Sequence, residues 1–196
     1  MTRFIGALLT CLVLAAAPAG ASPIMYTFEG TNTGELAGVG YVGADFTIVV
    51  IADSSNPALP LSASFNIAGV GSGTLTGYTL FVNNGFCTAN QEYPAVDSCV
   101  GISFASDLLD VASNAFDAYV LGDPIGPITD LTSFGNENVS FPTNVGSWII
   151  REYGDASFTA STQAVPEPST LLLIGGGTVA LRWRRRWMRG QSSHGE

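Results

Sequence analysis

From residue 23 to residue 163, apolar and polar side chains alternate in short stretches set off by turn-forming residues. Tyr26 and Phe28 alternate with Thr27 and Glu29, which predicts a strand over residues 25–29. Phe46, Ile48 and Val50 interleave with Thr47, Val49 and Ile51, the pattern of a largely buried strand. Ser64, Phe65, Asn66 and Ile67 alternate cleanly. The same reading predicts strands over residues 74–82, 100–105, 116–121, 148–152 and 156–162, and a short helix or turn over residues 108–115. Turn chemistry marks Asp53-Ser54-Ser55-Asn56-Pro57, residues 69–73 and Asn83-Asn84-Gly85. Asp123-Pro124, Gly126-Pro127 and residues 136–138 predict irregular loops. There is no repeat of fixed period. Short strands with recurring turns predict an all-β fold, an antiparallel β-sandwich of jelly-roll-like form.

The two ends break this pattern. Arg3 is the only charge in the first 28 residues, an apolar run fills residues 4–17, and Pro18-Ala19-Gly20-Ala21-Ser22 follows. A positive start, a short apolar core and an A-x-A site compose a secretory signal peptide, residues 1–21, with cleavage before Ser22. The run is short of the roughly 20 residues a membrane helix needs. At the other end, Val165-Pro166-Glu167-Pro168 precedes an uncharged, mostly apolar stretch over residues 169–181. Arg182, Arg184, Arg185, Arg186 and Arg189 then cluster with Trp183 and Trp187. Two prolines one residue apart remove backbone donors and favour an extended chain that an enzyme can grip. Arginines after an apolar run stay on the cytoplasmic side, so they form a basic stop.

In order and position, these residues resemble the PEP-CTERM sorting signal of exopolysaccharide-producing Gram-negative bacteria, a segment also labelled the ice-binding protein C-terminal domain. The resemblance covers residues 165–189 and leaves a polar tail at 190–196. It implies that Val165, Pro166, Glu167 and Pro168 are the sorting motif. It also implies recognition by exosortase, a multi-pass membrane protease-transpeptidase that cuts near that motif. The apolar stretch of 13 residues covers roughly 20 Å of a bilayer core of about 30 Å. A short transmembrane helix of that length suits transient anchoring in the inner membrane better than permanent residence. The segments Tyr26-Thr27-Phe28-Glu29-Gly30-Thr31, Asp45-Phe46-Thr47-Ile48, Ala52-Asp53 and Leu108-Leu109-Asp110 resemble a recurrent passenger of such proteins. That likeness implies no activity.

Removal of both ends leaves residues 22–164, the length of one domain. This region holds 14 carboxylates against the single Arg151 and no lysine, a net charge of −13. Such a surface repels nucleic acid and keeps the chain in solution. Cys11 lies in the signal segment, so the exported region keeps Cys87 and Cys99, an even count that predicts a disulfide. His194, the only histidine, sits in the tail, which argues against a metal bound by the two cysteines.

Candidate chemistry is sparse. Gly38-Val39-Gly40-Tyr41-Val42-Gly43 fits G-x-G-x-x-G, but a strand follows it where a dinucleotide site needs a helix, so it reads as a glycine-rich loop. Asp107, Asp110, Asp117, Asp123 and Asp130 form a loose acidic series that matches no calcium loop, although a structural calcium would suit oxygen-rich loops. A Ser-His-Asp site is excluded for want of histidine, and no G-x-S-x-G elbow occurs. Two carboxylates for glycoside hydrolysis remain open, since 14 acids bring some pair together. Tyr78, Tyr93, Tyr119, Trp148 and Tyr153 are candidates for stacking on sugars, with Trp148 better read as core. Asn138-Val139-Ser140 matches a glycosylation sequon by coincidence, and Thr74, Thr76 and Thr79 lack the regular spacing of an ice-binding face. The expectation is an exported, non-enzymatic cell-surface or matrix protein with no catalytic, cofactor or metal site. Its partners are exosortase, the inner membrane and the exopolysaccharide, and no nucleic acid. A carbohydrate-binding module is the alternative, and a two-carboxylate enzyme on polysaccharide stands behind both.

Overall fold

The structure is a computed structural model that describes residues 22–84, 87 and 98–163. The signal peptide, Tyr93, the sorting motif, the apolar helix and the arginine stop lie outside the described residues. Residues Ala21–Ala164 form one unit, which contains every described residue.

Among the described residues, ten strands make one antiparallel sheet: β1 (Pro23–Leu36), β2 (Val39–Asp53), β3 (Asn56–Ile67), β4 (Gly71–Thr74), β5 (Thr79–Asn84), β6 (Ser98–Phe104), β7 (Ser106–Ala112), β8 (Ile125–Phe134), β9 (Ser140–Thr143) and β10 (Gly146–Thr162). Their order is β4-β3-β2-β1-β10-β8-β7-β6-β5, with β9 paired to β10. The expected sandwich therefore takes the form of a single sheet curled over its own core. β3 comes to lie against β5. The curl is tied where β9 meets the β4–β5 connection. Leu75 bridges Thr143, Thr74 N donates to Asn144 Oδ1 at 2.6 Å, and Tyr78 Oη donates to the Pro142 carbonyl at 3.0 Å.

Period-2 alternation explains the long strands. Ile24, Tyr26 and Phe28 of β1 point inward, as do Phe46, Ile48, Val50 and Ala52 of β2 and Ala63, Phe65 and Ile67 of β3. Two aromatic groups fill the curl. Phe158 packs against Phe28, Phe116, Tyr119 and Tyr26, with ring centroids 4.9, 5.5, 6.0 and 6.3 Å away. Trp148 stacks on Phe65 at 4.9 Å, and its indole N–H donates to Tyr41 Oη at 2.7 Å. A buried indole with a partner avoids the desolvation cost of an unmet donor.

Several expectations on element boundaries are corrected. The short helix or turn expected over residues 108–115 is confined to its end, at residues 114–115: Leu108–Ala112 belongs to β7, buried on both faces. Residues 116–121 are not a strand. Ser113 caps a 3₁₀ turn at Asn114–Phe116 by accepting from Ala115 N, and the turn sends Phe116 and Tyr119 into the core. The stretch 74–82 is interrupted at Gly77, whose φ of 77° belongs to the left-handed region. Residues 148–152 and 156–162 are one continuous strand, β10. Gly126-Pro127 lies within β8, where a loop was expected. Gly38 turns between β1 and β2, and the rest of the glycine-rich segment starts β2 without a helix.

Candidate functional site

Cys87 and Cys99 form the expected disulfide, with Cα atoms 5.6 Å apart, inside the usual range. Cys99 is buried in β6, so the bond fastens the start of β6 across the β5–β6 connection. In the chain-entropy account a loop of this size stabilises the fold by about 3 kcal/mol.

Among the described residues, three places gather polar groups. The first is an open groove of about 380 Å³ on the outer side of β2, β1, β10 and β8, around which stand Glu29, Asp45, Asp130 and Asp155. Register assembles it: Thr31 faces Asp45, Glu29 faces Thr47 and Ser157, and Asp155 faces Thr132. Gly30 allows the close approach of β1 to β10, because a Cβ there would lie 2.5 Å from the Asp155 carbonyl and 3.1 Å from the Phe46 ring. Opposite Ser157, β8 carries one extra residue, and Asp130 takes φ 56° there while Thr129 Oγ1 donates to its carboxylate at 3.1 Å. All four carboxylates are exposed. The single ion pair among the described residues, Arg151 with Glu35 at 3.1 Å, involves none of them. Of the acidic series read from the sequence, only Asp130 reaches this groove. No cluster of three or more metal-ligating side chains occurs among the described residues.

The second place is the interior. Asp110 of β7 is 5% exposed and its Oδ1 has no hydrogen-bond partner. It faces Gly101 of β6 and Phe134 of β8. A side chain at position 101 would strike both the Asp110 carboxylate and the Phe81 ring, so glycine makes room for a carboxyl beneath an aromatic cover. Burial, and then the neighbouring Asp107 charge, push the Asp110 carboxyl up to about 8. Tyr153 Oη donates to the Leu108 carbonyl at 2.8 Å, and burial raises its pKa, aided by the Asp110, Glu137, Tyr41 and Asp107 groups. Nothing in the spacing of the aspartates singled out Asp110; a carboxylate within the apolar run Leu108-Leu109-Asp110-Val111-Ala112 was the available signal.

Among the described residues, the aromatics considered for sugar stacking, Tyr78, Tyr119, Trp148 and Tyr153, do not form a platform. Trp148, Tyr78 and Tyr119 are 0%, 5% and 6% exposed, and Tyr153 is half-buried with its hydroxyl engaged. Buried rings offer no face to a sugar.

The third place is the end of the domain where the chain enters and leaves. Ile24 of β1 pairs with Thr162 of β10, and Gln163 N donates to the Pro23 carbonyl at 2.9 Å. β10 is an interior strand, flanked by β1 and β8. The turn after β2 closes the same end. Ser54 N donates to the Ser22 carbonyl at 3.3 Å, and Ser55 N and Oγ donate to Asp53 Oδ1 at 2.8 and 2.7 Å, which holds the Asp53 carboxyl below its ordinary range. Gly122 packs beside the Ser54 carbonyl and Pro57, while its N–H donates to Tyr26 Oη at 3.0 Å.

No curated protein and no solved structure matches the chain. The PEP-CTERM protein-sorting motif matches residues 164–186, which include Val165, Pro166, Glu167, Pro168 and the arginines 182, 184, 185 and 186. The match begins one residue after Gln163. The chain thus carries, directly behind β10, the PEP-CTERM sorting motif that directs export and exosortase-dependent sorting at the membrane toward the cell surface or extracellular space.

Proposed function

We propose that this chain delivers a non-catalytic, strongly acidic β-domain, residues 22–164, to the exopolysaccharide-rich surface or matrix of a Gram-negative cell. A signal peptide over residues 1–21 starts export. Exosortase cuts near Pro166-Glu167-Pro168 while the apolar stretch and arginine stop hold the chain transiently in the inner membrane. The observation that carries this reading is the sorting motif placed immediately after the end of β10. A lysine-free domain with 14 carboxylates suits life among hydrated polymers, because like charge keeps copies apart.

Glu167→Ala in the full chain tests the sorting step, with localisation as the readout. The reading expects the variant to accumulate in the membrane fraction while the wild type reaches the medium or surface; equal release would contradict it. The non-catalytic assignment is tested by incubating the exported protein with the native exopolysaccharide and measuring new reducing ends. None are expected. Release that disappears in Glu29→Gln or Asp155→Asn would instead make the acidic groove a two-carboxylate active site.

A further inference from the structure

We infer that exosortase docks against one end of the folded domain, the surface formed by the turn Asp53-Ser54-Ser55-Asn56 and the segment Gly122-Asp123. This inference rests on the sorting reading above and adds an interaction surface to it.

Chain length carries the argument. Gln163, the last of the described residues, is held to the sheet through its N–H to the Pro23 carbonyl. Pro166 is three residues further on. Fully extended, three residues span about 10 Å. β10 cannot easily lend more chain, since its end is paired with β1 at Ile24–Thr162 and with β8 at Ile125–Ala160. An enzyme that grips the Pro-Glu-Pro segment therefore comes within about 10 Å of the sheet end, close enough for side chains to touch.

The surface it meets is set by register. Pro23 pairs with Asp53, so the β2–β3 turn stands beside the exit of β10. Gly122 packs on Ser54, which brings Asp123 and the exposed Val120 to the same end. Ser55, Asn56, Asp123 and Gln163 are exposed. The opposite end of the domain, the β1–β2 turn near Val42, is separated from it by the length of β1 and makes no such approach.

The test uses the full chain in membranes that contain exosortase. A photocrosslinking amino acid at position 55 is expected to react with exosortase, and one at position 42 is not. Ser55→Trp is expected to slow conversion to the cut form roughly tenfold, the loss of one good contact. A flexible ten-residue Gly-Ser insertion after Gln163, which separates domain from motif, is expected to slow the otherwise unaltered chain to the same degree and to leave Ser55→Trp no slower than it already is. Asp123→Trp provides a second obstruction should Ser55→Trp unfold, with thermal unfolding as the control for both. Unchanged cleavage in folded variants of both kinds would overturn the docking surface, as would adducts from position 55 with lipid alone or equal crosslinking from position 42. Glu167→Ala separates the two levels: if it is cut like wild type, the sorting reading itself fails. If it is not cut while the end-surface variants behave as wild type, only the docking inference fails.

Discussion

The curled sheet has two unequal halves. β1, β2, β3 and β10 run 14, 15, 12 and 17 residues, whereas β5, β6, β7 and β8 run 6, 7, 7 and 10. The long half buries one face and wets the other, so its side chains alternate. In the short half, β6 and β7 each bury five consecutive residues, and both faces are covered. The difference shows where each half finds its stability. Long strands gain it from continuous ladders and a regular apolar face. Short strands lean on the Cys87–Cys99 bond, and one of them accommodates a buried carboxyl, Asp110, beneath Phe81. The long half also holds both chain exits, which leaves the sorting junction on the more regular part of the molecule.

The largest expected effect comes where the halves meet. Phe158 of the long half touches Phe116 and Tyr119 from the other side of the core, so Phe158→Ala should cost about 3–5 kcal/mol, read from the urea midpoint. A loss below about 1 kcal/mol would mean that the halves do not share a core. Next, Cys87→Ser with Cys99→Ser should cost about 3 kcal/mol. Amide exchange should then rise in β5 and β6 while β1 and β2 stay protected; uniform exchange would erase the contrast between the halves.

Asp110 sharpens it through pH. Its folded pKa of about 8 lies above the ordinary carboxyl value of 3.8, so the folded state binds the extra proton between those values. Stability from this group is therefore greatest below about pH 4 and falls as pH rises toward 8, the reverse of a carboxylate in an ion pair. Asp110→Asn should stabilise the domain by about 2 kcal/mol at pH 8.5, after allowing for local relaxation and water entry, and have little effect near pH 4. Equal effects at both pH values would remove Asp110 from the interior. The smallest effect belongs to the exposed pair of the long half. Arg151→Ala should cost no more than about 1 kcal/mol, and 1 M salt should remove most of that difference.

The same contrast governs how much the sequence disclosed. Tyr26 and Phe28, Ile48 and Val50, and Phe65 and Ile67 could be read because a strand with one wet face records its orientation in every second residue. Leu108-Leu109-Asp110-Val111-Ala112 could not, since a segment buried on both faces has no alternation and a short apolar run fits helix and strand equally. The 3₁₀ turn was hidden because Phe116 and Tyr119 resemble strand residues, while the decisive Ser113 cap is a single hydroxyl. β8 was concealed by Gly126-Pro127. The disulfide followed from parity and export alone. The acidic groove was out of reach, because Glu29 and Asp155 are distant in sequence and only the β1–β10 register brings them together. The sorting motif was legible for the opposite reason: its recognition depends on linear order, which folding does not rearrange.

The most direct test of the sorting account is intact-mass spectrometry of the protein recovered outside the cell. The account predicts a chain that begins at Ser22, keeps the Cys87–Cys99 bond and ends close to Pro166-Glu167-Pro168. A recovered protein that extends through Arg189, with its arginine cluster in place, would contradict it.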